Sequence, residues 1–328
     1  MNAGFRYHGG RLTEACARYG GEAADWMDLS TGINPNAWNA PAGLAVDWRA
    51  LPNPLALHAL ELTAAQYFGC ALPLCAAVPG SETGIRQIAR VLNLPGLYQP
   101  LSYGTYSRAF AQADAIADLS TLPRRPTALV IGNPNNPDGR VLPRARLLEL
   151  LDHQEQHGGW LIVDEAFADC APDWSISSEV TEERRLIVMR SFGKFFGLAG
   201  LRLGFAIAPQ RVLGALREAF GDWPVHAAAI AYGAAAYADA GWIAETRRRL
   251  VTQAAAVDAV VRRHGLDVSG DCPLFRLVVV SDAAGLFERL AQQHILTRPF
   301  EDRSDLLRIG LPPDNAGLQR LDAALGDG

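Results

Sequence analysis

The sequence predicts an α/β protein, a mostly parallel central sheet covered by helices, with a smaller α+β domain after it. Three observations lead there. Apolar runs at Ala128–Ile131, Trp160–Val163, Leu186–Met189 and Leu203–Ala208 are short and rich in branched side chains, as strands buried on both faces are. A helix-length segment, Pro143 to Gln156, separates the first two, with proline at its first turn. Asn, Asp and Lys follow the carboxyl ends of these runs, where an open α/β sheet places its ligands.

Size and composition narrow the classes. A chain of 328 residues has room for a large core and ordinarily for two domains. The net charge of −5 offers no basic face to nucleic acid. With 49% hydrophobic and 20% charged residues, the composition is that of a globular enzyme, not of a disordered chain. Met1-Asn-Ala-Gly-Phe-Arg6 carries no signal-peptide hydrophobic segment. Cys16, Cys70, Cys75, Cys170 and Cys272 are odd in number and scattered, which predicts reduced, structural thiols in a cytoplasmic protein. Cys70 and Cys75 lack a second pair beside them, so no metal site is expected. The most apolar helix-like stretch, Ala227 to Ala244, is alanine-rich and holds Asp239, so it reads as a packed helix and no membrane span is expected.

Along the chain, a helix is expected at Arg11–Tyr19, then two glycine-bearing pieces, His8-Gly9-Gly10 before it and Asp28-Leu-Ser-Thr-Gly32-Ile-Asn34-Pro35 after it. Glycine beside a polar side chain lets backbone approach a ligand closely, and a plain turn accounts for either piece alone. Leu51-Pro-Asn-Pro54 leads into a helix from Ala56 to Phe68. Ala76-Ala-Val-Pro-Gly80-Ser81-Glu82-Thr83-Gly84 reads as a strand turning into a helix that runs to about Leu92. Free amides at such a helix start cradle an anion, or Ser81 simply caps the helix. Pro100-Leu-Ser-Tyr103-Gly-Thr-Tyr106 offers two tyrosines on a turn. After Ala208 come helices at Gln210–Phe220, 227–238 and Trp242–His264, strands at Phe275–Val280, Ile295–Arg298 and Leu306–Ile309, and helices at Ala283–His294 and Ala316–Leu325. Arg247-Arg-Arg249 reads as a solvated helix face.

The chemistry concentrates in Ser191-Phe-Gly-Lys194-Phe-Phe-Gly-Leu-Ala-Gly-Leu-Arg202-Leu-Gly204. A lysine between two buried strands, among small residues and aromatics, is poorly placed as a solvated ammonium, and a partly deprotonated amine forms Schiff bases. Arg202 keeps its charge and offers a planar fork suited to phosphate. A surface lysine and arginine on a loop is the alternative for this stretch alone.

Two stations upstream decide between them. Asn133-Pro-Asn-Asn136-Pro-Asp-Gly139 follows one strand and Val163-Asp164-Glu165-Ala166-Phe167 ends the next. Asn-Pro, then Asp, then Ser-x-x-Lys and a downstream Arg, in this order, resembles the fold-type I pyridoxal-phosphate enzymes, the aspartate aminotransferase superfamily. The resemblance implies Lys194 as the residue that binds pyridoxal 5'-phosphate covalently and Asp164 as the partner of its pyridine nitrogen. It implies a hydrogen bond from Asn136 to the ring's phenolic oxygen, Tyr103 stacked on the ring with Tyr106 next in line, and the phosphate held by Ser191, Arg202 and the Ser81 and Glu82 amides. Relatives often carry a Tyr where Leu51 stands, so that tyrosine's role is not transferred.

Within the superfamily, His8-Gly-Gly, Asp-Glu-Ala-Phe167 and Lys194-Phe-Phe-Gly-Leu-Ala-Gly-Leu-Arg202 resemble the threonine-phosphate decarboxylase branch more than the histidinol-phosphate aminotransferase branch. That implies decarboxylation of L-threonine O-3-phosphate to (R)-1-aminopropan-2-yl phosphate in cobalamin biosynthesis, with transamination of the histidinol-phosphate type as the alternative. It implies a phosphorylated amino acid as substrate, met by His8, Gly32, Asn34, Arg298 and Arg308, and a homodimer. Arg298 is as well accounted for by a surface ion pair. The expected division is an N-terminal arm, 1–44, joining the small domain, a large cofactor-binding domain, 45–220, and a small C-terminal domain, 221–328.

Overall fold

The computed structural model of the protein describes Phe5 and residues 9–326. In chain order its strands are β1 (Met27–Asp28), β2 (Cys75–Val78), β3 (Gly96–Tyr98), β4 (Ala113–Ala115), β5 (Ala128–Gly132), β6 (Trp160–Asp164), β7 (Leu186–Ser191) and β8 (Gly204–Ile207). They continue with β9 (Asp267–Ser269), β10 (Phe275–Val279), β11 (Ile295–Leu296), β12 (Arg298–Pro299) and β13 (Leu306–Gly310).

The chain divides into two compact units: residues 37–136 with 140–245, and residues 1–36 with 137–139 and 246–328. The larger unit is built on a seven-stranded sheet of order β2-β8-β7-β6-β5-β3-β4. Pairing is parallel from β4 through β7, and β8 runs antiparallel to both its neighbours. This is the mostly parallel α/β sheet that the apolar runs predict. Helices Ser81–Leu92 and Gln210–Phe220 pack on it through Ile85, Ile88, Leu213 and Leu216, against Val130, Ile162, Ile187 and Met189. Burying a side chain of this size is worth roughly 1.5–3 kcal/mol, so this layer supplies much of the unit's stability.

Local signals set the helix ends. Helix Pro54–Phe68 begins where the Asn53 side chain accepts the Leu55 amide, with proline in the first turn, and ends at Gly69 in a left-handed conformation. The expected break at 220 falls before helix Ala227–Ala238, yet that helix belongs to the larger unit. Gly233 lies so close to Leu60 that a Cβ there would sit 3.0 Å from its methyl, and the Tyr237 ring meets Phe68 edge-on at 5.4 Å. These contacts carry the change of unit from 220 to 245.

In the smaller unit, β12-β13-β10-β9 form an antiparallel sheet, and β1 pairs in parallel with β11. The strand expected over 295–298 is two: β11 pairs with β1 and β12 with β13, so the chain changes sheet at Thr297. Leu29 lies beside the end of β13, where the Gly310 amide donates to its carbonyl at 2.7 Å. Arg249, expected on a solvated face, is only part-exposed and donates to Thr246 at 3.2 Å. Among the described residues no helix is long and apolar enough to cross a membrane.

Candidate active site

The carboxyl ends of β5, β6 and β7 bring the central residues of the larger unit together. Asp164 ends β6, in register with Gly132 on one side and Met189 on the other. Its carboxylate accepts the Tyr106 hydroxyl at 2.8 Å and the Ala166 amide at 3.2 Å. Burial pushes the carboxyl up from its ordinary 3.8 to about 6, against the pull of these two donors and the Lys194 charge, with Glu165 adding to the rise. At neutral pH the group is still predominantly ionised, held as a buried anion.

Lys194 stands in the single turn Phe192–Phe195 that leaves β7. It is half-buried, and its ammonium lies 5.9 Å from the centre of the Phe167 ring. An aromatic face at this range attracts a cation without offering a hydrogen bond to anything else. Phe167 is thus a neighbour of the lysine, in the place where aminotransferases of the resemblance often carry a tyrosine.

An anion cradle lies at the start of helix Ser81–Leu92. Gly80 is its N-cap with φ +86°, and no side chain caps the helix, so Ser81 is the first helical residue and not the cap. The first-turn amides of a helix point outward without intrahelical partners, and the helix dipole adds positive potential there. A Cβ on Gly80 would sit 2.7 Å from the Arg202 guanidinium, so the arginine lies directly over the cap. Gly204 brings Ser81 equally close, with 2.7 Å from its built Cβ to the Ser81 amide nitrogen, and Gly204 pairs with Ser191 across β7–β8. Ser191, Arg202 and the Ser81 amide therefore share one locus. Arg202 itself has φ +51°, a left-handed conformation that costs a non-glycine residue about 1–2 kcal/mol. Such local strain clusters at functional sites.

Glu82, in the same first turn, turns its carboxylate aside. Arg86 Nη2 donates to it at 3.0 Å, Thr105 at 3.1 Å and Tyr103 at 3.3 Å. The Tyr103 ring meets Tyr106 edge-on at 5.8 Å. In the Asn-Pro motif, Asn133 donates to the Trp174 carbonyl and accepts the Leu142 amide, while Asn135 donates to the Leu101 carbonyl. These two fold the loop; Asn136 is the half-buried asparagine at its crest.

A second cluster lies within the smaller unit. Arg298 and Arg308 are cross-strand partners on β12 and β13, both buried, and Arg308 donates to the Ser30 carbonyl at 2.6 Å. Burial and the facing charge of Arg298 hold the Arg308 pKa well below the ordinary arginine value. Gly32 and Asn34 are buried on the segment that follows Ser30, and Asn34 accepts the Asn36 amide at 3.0 Å. Arg298 is therefore not the surface ion pair weighed above. His8 lies outside the described residues.

Two groups of consequence are missed by sequence reasoning. One is the Tyr106 hydroxyl on Asp164, 58 residues away, which no local pattern announces. The other is Arg190, which pairs with Glu165 at 2.7 Å and with Asp169 beneath the site. Its position directly after the apolar run Leu186–Met189, still within β7, is the one signal that the sequence carries.

The chain belongs to the class I and II aminotransferase family, whose model matches residues 77–325. Within it, the chain is 40% identical over 325 residues to the threonine-phosphate decarboxylase of Sinorhizobium sp, covering 97% of each chain. It is also 40% identical over 328 residues to the threonine-phosphate decarboxylase of Pseudomonas aeruginosa, covering 97% of this chain and 96% of that one. The fold matches that of the histidinol-phosphate aminotransferase from Sinorhizobium meliloti solved with pyridoxal-5'-phosphate, with a TM-score of 0.74, 21% identity, and 84% and 82% of the two chains covered.

Proposed function

We propose that this protein is a pyridoxal-phosphate-dependent decarboxylase that converts L-threonine O-3-phosphate to (R)-1-aminopropan-2-yl phosphate, a step of cobalamin biosynthesis. The observation that carries this reading is the 40% identity to two threonine-phosphate decarboxylases over nearly the whole chain.

The donor set of the larger unit fits the cofactor's three chemical features. An amine suits its aldehyde, a buried anion suits its pyridinium nitrogen, and a helix start beneath an arginine suits its phosphate. When bound, the cofactor supplies an electron sink for the bond that breaks at the substrate's Cα. The chain's residues do the rest. Arg202, Ser191 and the amides of Ser81 and Glu82 hold the phosphate, while Tyr103 covers the ring and Asn136 donates to its phenolic oxygen. Asp164 holds the proton on the pyridine nitrogen. Lys194 Nζ would be the amine that holds the aldehyde and the group placed to carry a proton toward the substrate's Cα. Phe167 provides surface without a donor, so the lysine's surroundings differ from those with a tyrosine there.

A substrate with a carboxylate and a phosphate demands at least two cationic contacts. Arg298 and Arg308 supply them in this reading, with His8, Gly32 and Asn34 beside the substrate. Anchoring the substrate phosphate would leave its carboxylate to be oriented separately, and orientation of this kind would favour decarboxylation over transamination.

The exposed Trp48, Leu51 and Leu55, 74%, 67% and 78% accessible, lie on one short segment and support a homodimer. The five free cysteines suit the reducing cytoplasm. The test incubates purified protein, supplied with pyridoxal phosphate, with O-phosphothreonine and measures carbon dioxide. Gas release with formation of aminopropanol phosphate is expected; amino transfer to a keto acid without gas sinks the proposal.

A further inference from the structure

We infer that Tyr106 is a positioning residue of this site: its hydroxyl fixes the Asp164 carboxylate and keeps it charged for a pyridine nitrogen. The second half rests on the pyridoxal-phosphate reading; the first rests on geometry alone.

The hydroxyl is 2.8 Å from Asp164 Oδ2, and the two residues are 2% and 6% exposed. Both groups need a partner once out of water. Oδ1 takes the Ala166 amide, so the tyrosine governs the other oxygen, and with it the rotation of the carboxylate plane. The end of β5 makes room for this contact. Gly132 ends β5 in register with Asp164, and a Cβ there would lie 3.2 Å from the Tyr106 hydroxyl. The absence of a side chain at 132 opens the slot the hydroxyl occupies. The ring of the same tyrosine meets Tyr103 edge-on at 89°, so Tyr106 braces both the proposed ring-covering residue and the proposed ring-nitrogen partner.

The charged and titratable groups that act on Asp164 are Lys194 from the turn after β7, Glu165 next in the chain, and Tyr103 and Tyr106 from the turn at 103–106. Tyr106 donates to the carboxylate through its side-chain hydroxyl. A donor to the charged form lowers a carboxyl's pKa, so removing it moves the titration upward.

The variant is Tyr106→Phe, which deletes the hydroxyl and leaves the ring. In full-length protein freed of cofactor, carbon-13 NMR of labelled aspartate follows the Asp164 carboxyl, identified by its loss in Asp164→Asn. The midpoint is expected to rise by about one pH unit. In the cofactor-loaded enzyme, the acid limb of kcat for carbon dioxide release is expected to move up by the same amount, with KM changed less than about twofold. If Tyr106→Phe does not fold, Gly132→Ala, which crowds the hydroxyl while keeping every polar group, is expected to shift the same midpoint upward. An unchanged midpoint in whichever variant folds overturns the coupling. A shifted midpoint with an unmoved acid limb overturns the role toward the ring nitrogen. Wild-type protein that forms no coloured complex with pyridoxal phosphate removes the cofactor reading, and the cofactor-free titration still decides whether Tyr106 governs Asp164.

Discussion

Arg190 Nη1 lies 2.7 Å from Glu165 Oε2 at a point where the two side chains are 4% and 0% exposed. Glu165 follows Asp164 and Arg190 precedes Ser191, so one buried ion pair ties together the strands that end in two proposed site residues. Asp169 takes another guanidinium nitrogen, and Ser175 and the Ile176 amide complete Glu165 at 2.6 and 2.7 Å. The Arg190 guanidinium also sits 4.5 Å from the centre of the Phe68 ring.

Breaking such a pair from one side leaves buried carboxylates uncompensated. Arg190→Met is expected to cost about 3–5 kcal/mol of stability, and Arg190→Met with Glu165→Gln to cost less than the single change. Urea unfolding of both variants checks this. A double variant as unstable as the single one contradicts it.

Asp164 weakens the fold at neutral pH, where its proposed role needs the charged form. Its pKa is raised in the folded state, so the folded chain holds that proton more tightly than the unfolded one. Its contribution to stability is fully present below about pH 4 and is lost as the pH rises through about 6. The rise from 3.8 to about 6 corresponds to roughly 3 kcal/mol. Cofactor-free Asp164→Asn should therefore be more stable than wild type at pH 8, by up to that amount, and the difference should vanish at pH 4. Urea midpoints at the two pH values are the measurement; equal differences at both refute it.

Arg202 sets strain against binding. Arg202→Gly relieves the left-handed backbone at the expense of a more disordered unfolded chain, so the fold is expected to change by less than about 1 kcal/mol. Affinity for pyridoxal phosphate is expected to fall at least about tenfold, since a charged contact to phosphate is lost. Thermal unfolding and a fluorescence titration with cofactor read the two effects separately.

The facing guanidinium groups of Arg298 and Arg308 give a fourth prediction. Like charges directly opposite on neighbouring strands are destabilising, here within a buried sheet. Arg298→Met should leave the ligand-free protein as stable as wild type or up to about 1 kcal/mol more so. It should raise KM for O-phosphothreonine at least about tenfold. Loss of stability with an unchanged KM makes Arg298 a structural residue only.

Much of this architecture can be read from the chain because its signals are local. The apolar runs of β5, β6 and β7 are buried on both faces and need no partner to be recognised. Asn53-Pro54 and Gly69 bracket a helix with chemistry contained in a few residues. What escapes is decided at long range. Strands β3 and β4 are three residues each, and Ala113–Ala115 has no apolar pattern; pairing with neighbours makes them strands. Tyr106 reads as a second stacking candidate because nothing nearby in sequence says that its hydroxyl meets residue 164. Arg190 hides inside a strand for the same reason, since its partners lie 25 and 21 residues away.

The three residues 137–139 are grouped with a unit from which they are separated by more than a hundred positions on either side. The Asp271 and Cys272 amides donate to the Gly139 carbonyl at 3.1 and 3.2 Å. No single cut of the polypeptide therefore yields a self-sufficient half: a fragment starting at 246 lacks both β1 and this tripeptide. Fragment complementation, limited digestion or circular permutation of this protein must respect an interleaved thread, and new termini at 245 are expected to give insoluble pieces where termini in the exposed 124–126 segment are tolerated.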